Sequence, residues 1–108
     1  MTEDEILAAI LDLHQRDLES WCARGWVRPA LDGETTEYRA VDVARVHLIC
    51  EMRRDLAVND EGIAVALDLI DQLYNTRARL HALGEAILGQ PEDVRNEIEL
   101  LVRRTMGG

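Results

Sequence analysis

The side chains able to do chemistry in this 108-residue chain are few and dispersed. Ser20 is the only serine, and no G-x-S-x-G turn surrounds it to expose a nucleophile. Cys22 and Cys50 are the only cysteines; neither has a His three or four residues on, and no CxxC or Cys/His ligand spacing is present. His14, His47 and His81 are scattered, so no pair of imidazoles converges as a base or a metal site. HExxH, Gly-rich phosphate-loop and EF-hand patterns are missing as well. All twelve cations are Arg, which excludes Schiff-base and P-loop lysine chemistry. Carboxylate pairs such as Asp68/Asp71 fall on a helix surface, where solvation is their ordinary state. These residues predict a non-enzyme with no cofactor and no metal.

What remains is charge. Twenty-one acids against twelve arginines give −9, spread evenly: net −5 over residues 1–56 and −4 over 57–108. An acidic surface repels phosphates, which argues against generic nucleic-acid or anionic-membrane binding. The apolar runs are too short to span a bilayer. Met1–Asp4 opens acidic, without the basic start of a signal peptide. Two half-buried, reduced thiols fit a cytoplasmic location.

The elements that position these residues are nearly all helical. Ile6, Ile10 and Leu13 predict a short helix over about 3–13, with Thr2 and Glu5 as its capping box. Leu18, Trp21, Cys22 and Gly25 predict a second short helix that stops at Gly25. Val27-Arg28-Pro29 and Thr35–Tyr38 lean to strand on either side of Asp32-Gly33, the signature of a small hairpin wing. Trp21 and Trp26 are expected to close the core between the second helix and the wing. Val43, Val46, Ile49, Cys50 and Leu56 then form one face of a helix over about 41–55.

Asn59 or Asp60 can cap a long helix over about 60–88, within which Ile63, Ala66 and Leu67 face a core and the small Gly62, Ala64 and Ala66 permit close helix approach. Its later part carries a heptad seam: Leu69, Leu73, Thr76, Leu80, Leu83 and Ile87. Pro91 opens a last helix running to about Arg104, with Val94, Ile98, Leu101 and Val102 on its apolar face and Met106-Gly107-Gly108 fraying. The seam either pairs with its copy in a homodimer, is covered by the last helix folding back, or both. The expected organisation is a winged helix-turn-helix-like region over 1–58 and a dimerising region over 59–106, in one compact domain. The fold class is all-α with a small β-hairpin wing.

A winged helix-turn-helix suggests DNA, but the residues oppose it. Gln15 and Arg16 suit a recognition helix, whereas Asp17 and Glu19 share it. Between His14 and Arg39 there are five acids and four arginines.

Trp26-Val27-Arg28-Pro29, Tyr38 with Asp42-Val43, and MRRDLAVNDEGIAVALDLIDQL over 52–73 resemble the chaperone-modulator CbpM family, a divergent branch of the MerR-like winged-helix superfamily. The similarity covers about residues 5–88; the last helix is outside it. The resemblance implies a MerR-like winged helix-turn-helix followed by a long helix and a short C-terminal helix. It also implies a protein partner: the J domain of a CbpA/DnaJ-like co-chaperone, inhibited by masking its basic Hsp70-binding helix. DNA-binding relatives usually read T-L-R-Y-Y-E where this chain has Asp17-Leu18-Glu19-Ser20-Trp21-Cys22, so Glu19 stands in place of a phosphate-gripping Arg. In the wing, R-x-Y has become Thr36-Glu37-Tyr38. The alternative is a MerR-like DNA-binding transcription regulator. For the J-domain reading the expected contact residues are Glu51, Asp55, Asp60, Glu61, Asp68 and Asp71, with Arg54 either pairing internally or reaching the partner. Leu69, Leu73, Leu80, Leu83 and Ile87 are the expected dimer contacts.

Overall fold

The computed structural model describes residues 1–107 and contains five helices and one hairpin. Helix α1 spans Glu3–Ala9, α2 Gln15–Ala23, strand β1 Ala30–Asp32, β2 Thr35–Glu37, α3 Ala40–Arg54, α4 Asp60–Leu88 and α5 Glu92–Met106. By internal contacts the chain divides into two compact units within α4, after Asp68.

The first unit holds the core. Thr2 caps α1: its hydroxyl accepts from the Glu5 N–H at 3.2 Å while the Glu5 carboxylate takes the Thr2 N–H. The helix expected to reach residue 13 ends at Ala9. Asp12 adopts φ 59°, a left-handed conformation that a short polar side chain tolerates, and the resulting turn delivers both Ile10 and Leu13 to the interior. The apolar spacing at 6, 10 and 13 is therefore met by a turn rather than by continued helix. α2 stops where predicted, with Gly25 at φ +75°. Val27–Pro29 is irregular; the strands pair only Ala30 with Glu37, Leu31 with Thr36 and Asp32 with Thr35, closed by Gly33-Glu34.

Ile6, Leu18, Val27, Val46, Ile49, Ile63 and Leu67 are fully buried, joined by Trp21, Trp26, Tyr38 and Met52. Each large apolar side chain taken from water contributes about 1.5–3 kcal/mol, so this aliphatic cluster is the main source of stability. Met52, not Leu56, completes the buried face of α3. The helix ends at Arg54, and Ala57 at φ 52° turns the chain so that Leu56 is 69% exposed.

Asn59 rather than Asp60 caps α4, accepting the Gly62 N–H at 2.8 Å. The space above Gly62 is taken by its own approach loop. A β-carbon there would lie 2.7 Å from Val58 Cγ1 and 3.1 Å from the Asn59 cap oxygen, so the expected close approach is by a side chain of that loop.

The second unit is the rest of α4 together with α5. Leu69, Leu73, Leu80 and Leu83 are 50–62% exposed and Ile87 is half-buried. On α5, Val94 and Ile98 are half-buried while Leu100, Leu101 and Val102 stay exposed. The helix continues through Met106, where fraying was expected, and Gly108 lies outside the described residues. Among the described residues no side chain beyond Leu67 is buried. Among the described residues no helix is long and apolar enough to cross a membrane.

Candidate protein-interaction surface

The arginines of the first unit decide which ligands its surface can hold. Four of its seven are drawn into the loop between α2 and β1. Arg28 Nε donates to the Gly25 carbonyl at 3.3 Å, Arg39 Nη2 to the Arg28 carbonyl at 3.0 Å, and Arg45 Nε to the Trp26 carbonyl. Arg24 lies 5.0 Å over the Trp26 ring, a cation–π distance, and also meets Asp60 at 3.6 Å. The loop lacks ladder partners for these carbonyls, and an unpaired backbone oxygen is costly where water is excluded, as at the part-buried Trp26 carbonyl. Guanidinium groups fill that need.

Arg39 is further committed. Its backbone N–H and Nε both reach Asp42 Oδ2, at 2.9 and 3.0 Å, and that hydrogen bond to the carboxylate raises the arginine pKa further. Asp42 is buried to 3% exposure at the third position of α3, where it also complements the helix dipole. Arg53 pairs with Asp17 of α2 at 3.0 Å, and Arg54 donates to the Leu11 carbonyl at 2.9 Å. Arg16 is the one arginine of this unit without a hydrogen-bond or ion-pair partner among the described residues. A duplex would meet Gln15, Arg16, Glu19 and Ser20 on the exposed face of α2, with Glu37 and Thr36 on the wing. That is one free cation beside Glu19, with Glu37 paired to the Met1 ammonium.

The acids are disposed differently. Glu51, Asp55 and Glu61 are exposed and make no side-chain hydrogen bond or ion pair among the described residues. Glu51 and Asp55 line a shallow groove of about 200 Å³ between α1 and α3, together with Leu11, His47, Cys50 and Arg54. Leu11 is 76% exposed. The groove therefore offers two carboxylates beside an uncovered leucine, a pattern suited to a basic amphipathic surface. Asp60 is turned to Arg24, while Asp68 is exposed on α4 with interactions of its own. Asp71 belongs to the second unit, where it too is exposed and partnered. Thus the structure joins Glu51 and Asp55 in one groove with Arg54, and sets Asp60 against α2.

The thiols are quiet. Burial pushes Cys22 up, opposed by its 3.7 Å contact with the Tyr38 hydroxyl, and burial likewise pushes Cys50 up, opposed by Arg54. A raised thiol pKa means little thiolate at neutral pH, hence little nucleophilicity.

The part that residue patterns could not supply is the long-range arginine-to-carbonyl set, made by Arg39, Arg45 and Arg54 across separations of 11 to 43 residues. Arg39/Asp42, three apart at a helix start, and Arg28 with the Gly25 carbonyl, also three apart, are the local pairings. The exposure of Leu11 has no signal in the apolar spacing, because the turn at Asp12 is invisible to periodicity.

With this geometry, the chain matches the family model described as MerR HTH family regulatory protein over residues 7–85. The chain belongs to that family. No curated protein and no solved structure matches it. α5 lies beyond the matched residues.

Proposed function

We propose that this chain is a protein-directed member of the family: a CbpM-like chaperone modulator. It binds the J domain of a CbpA/DnaJ-like co-chaperone and inhibits it by masking the Hsp70-binding surface. It acts in the cytoplasm as a non-catalytic, cofactor-free homodimer joined through Leu69, Leu73, Leu80, Leu83 and Ile87. The observation that carries the reading is the division of charge in the first unit. Six of seven arginines serve the fold, whereas Glu51 and Asp55 stand free around an exposed Leu11. A basic helix laid in that groove gains carboxylate contacts and covers the leucine. Complementary charge of this kind speeds encounter and selects the partner.

Titration of the intact protein with a J domain, followed by calorimetry at two salt concentrations, tests this. Saturable binding that weakens with salt is expected. The Glu51→Arg/Asp55→Arg variant should lose affinity by about tenfold or more, the order seen when close interfacial charges are reversed. Asp55 is the C-cap of α3, where a cation complements the helix dipole, so this variant keeps its fold. No J-domain binding at tens of micromolar, with retention of a specific promoter fragment instead, would replace the proposal by the transcription-regulator alternative.

A further inference from the structure

The second unit differs from the first in two ways that together identify what covers it. It has no buried side chain among the described residues, although a helix with an apolar stripe owes its stability to what that stripe packs on. It is also close to neutral: residues 69–107 carry six acids and five arginines, against fifteen and seven in residues 1–68. A strongly acidic chain can approach a copy of itself at low electrostatic cost only through such a region.

α5 adds direction to this. Glu92 and Asp93 occupy its first turn and Arg103 and Arg104 its last, while Leu101 and Val102 remain exposed between them. The helix of 15 residues is about 22 Å long, so its two charged ends are separated by more than a Debye length in physiological salt and act independently. Laid parallel, two copies would place like charges together at both ends. Laid antiparallel, each acidic first turn meets a basic last turn twice over, by symmetry.

We propose that α5 is a self-recognition helix that pairs antiparallel with α5 of a second copy, its end charges setting the orientation and its exposed Leu101 and Val102 supplying the contact. This rests on the homodimer reading above but not on the J-domain one. It gives a role to the segment beyond the family match, and adds a specificity element to the α4 seam: a leucine seam alone accepts other seams, whereas the charge order of α5 accepts its own sequence reversed.

The test uses the full chain in sedimentation equilibrium, with native mass spectrometry of mixtures. Glu92→Arg/Asp93→Arg and Arg103→Glu/Arg104→Glu should each self-associate about tenfold more weakly, as expected from several exposed ion pairs of modest strength reversed together. Mixed in equal amounts the two variants should form the heterodimer in preference to either homodimer, and all four changes in one chain should restore self-association. Far-UV circular dichroism reports whether each variant keeps its helices, α5 included. If both variants dimerise as the parent does while Leu80→Glu produces monomers, the α5 proposal is overturned and the α4 dimer stands. If the parent chain is itself monomeric at high concentration, both fall.

Discussion

Gly62→Ala separates a packing explanation for the start of α4 from a propensity explanation. Gly62 sits at the third position of the helix, donating its N–H to Asn59, and an added β-carbon would fall 2.7 Å from Val58 Cγ1. Helix propensity alone favours Ala over Gly by about 1 kcal/mol. Against that, a β-branched valine cannot swing aside cheaply, and inserting one methyl into an occupied space costs about 1–3 kcal/mol. The same methyl crowds the cap oxygen at 3.1 Å, and a lost Asn cap costs roughly 1 kcal/mol more. The net expectation is a loss of about 1–3 kcal/mol. Urea unfolding followed by the emission of Trp21 and Trp26 measures it in the unit where both tryptophans and Gly62 reside. Val58→Ala removes the offending methyl, so Gly62→Ala should cost less in that background, with a coupling of about 1 kcal/mol or more. A stabilised Gly62→Ala, or effects that simply add in the double variant, would refute the steric reasoning and leave glycine without a role there.

Two further outcomes follow from the charge and burial described. The parent chain should not retain duplex DNA at physiological salt, whereas Glu19→Arg/Thr36→Arg should bind weakly. Its salt slope should steepen by about 0.9 for each new phosphate contact, as measured by fluorescence anisotropy. Stability should decline in alkali: Cys22 and Cys50 are held above their ordinary value of 9.0 and Tyr38 above 10.0, so the unfolded chain loses those protons first. Above pH 9 the native state binds more protons, and ΔG therefore falls as pH rises, with no contribution from these groups below it. Urea midpoints across pH 8–11 check this (order set by those ordinary values), and Tyr38→Phe should flatten the decline above pH 10.

Legibility in the sequence tracked how local each cause was. The capping box of Thr2 and Glu5, the Gly25 stop and the Asn59 cap are settled within four residues, and each stands where its pattern indicated. The hairpin is likewise local, though shorter than its β-leaning flanks. Periodicity failed where a turn mimics it, as at Asp12, and where a left-handed residue ends a helix early, as before Leu56. It could not assign the arginines at all. Charge composition placed Arg28, Arg39 and Arg45 on a surface, and only the fold shows that they are bonded to backbone carbonyls. Glu51 and Asp55 could be chosen from helix phase, but the exposed Leu11 between α1 and α3 could not.

The arginine-held loop between α2 and β1 has a consequence for local opening. Beyond Gly25 its N–H groups are tethered mainly to one oxygen, the Trp21 carbonyl, which accepts from Trp26 at 2.9 Å and Val27 at 3.4 Å. Everything else that secures it is a side chain: Arg39 and Arg45 reach in from beyond the wing, Arg28 folds back on Gly25, and Trp26 and Val27 are buried in the core. Opening it breaks these contacts and withdraws the buried Trp26 and Val27 without unwinding α2, so its amides should exchange through sub-global fluctuations whose free energy is set by the guanidinium clamps together with those two side chains. The hinge of the wing is thus fastened by charge and by two buried side chains rather than by secondary structure. Whatever alters those contacts retunes how readily the wing moves, through the two core side chains that the loop carries.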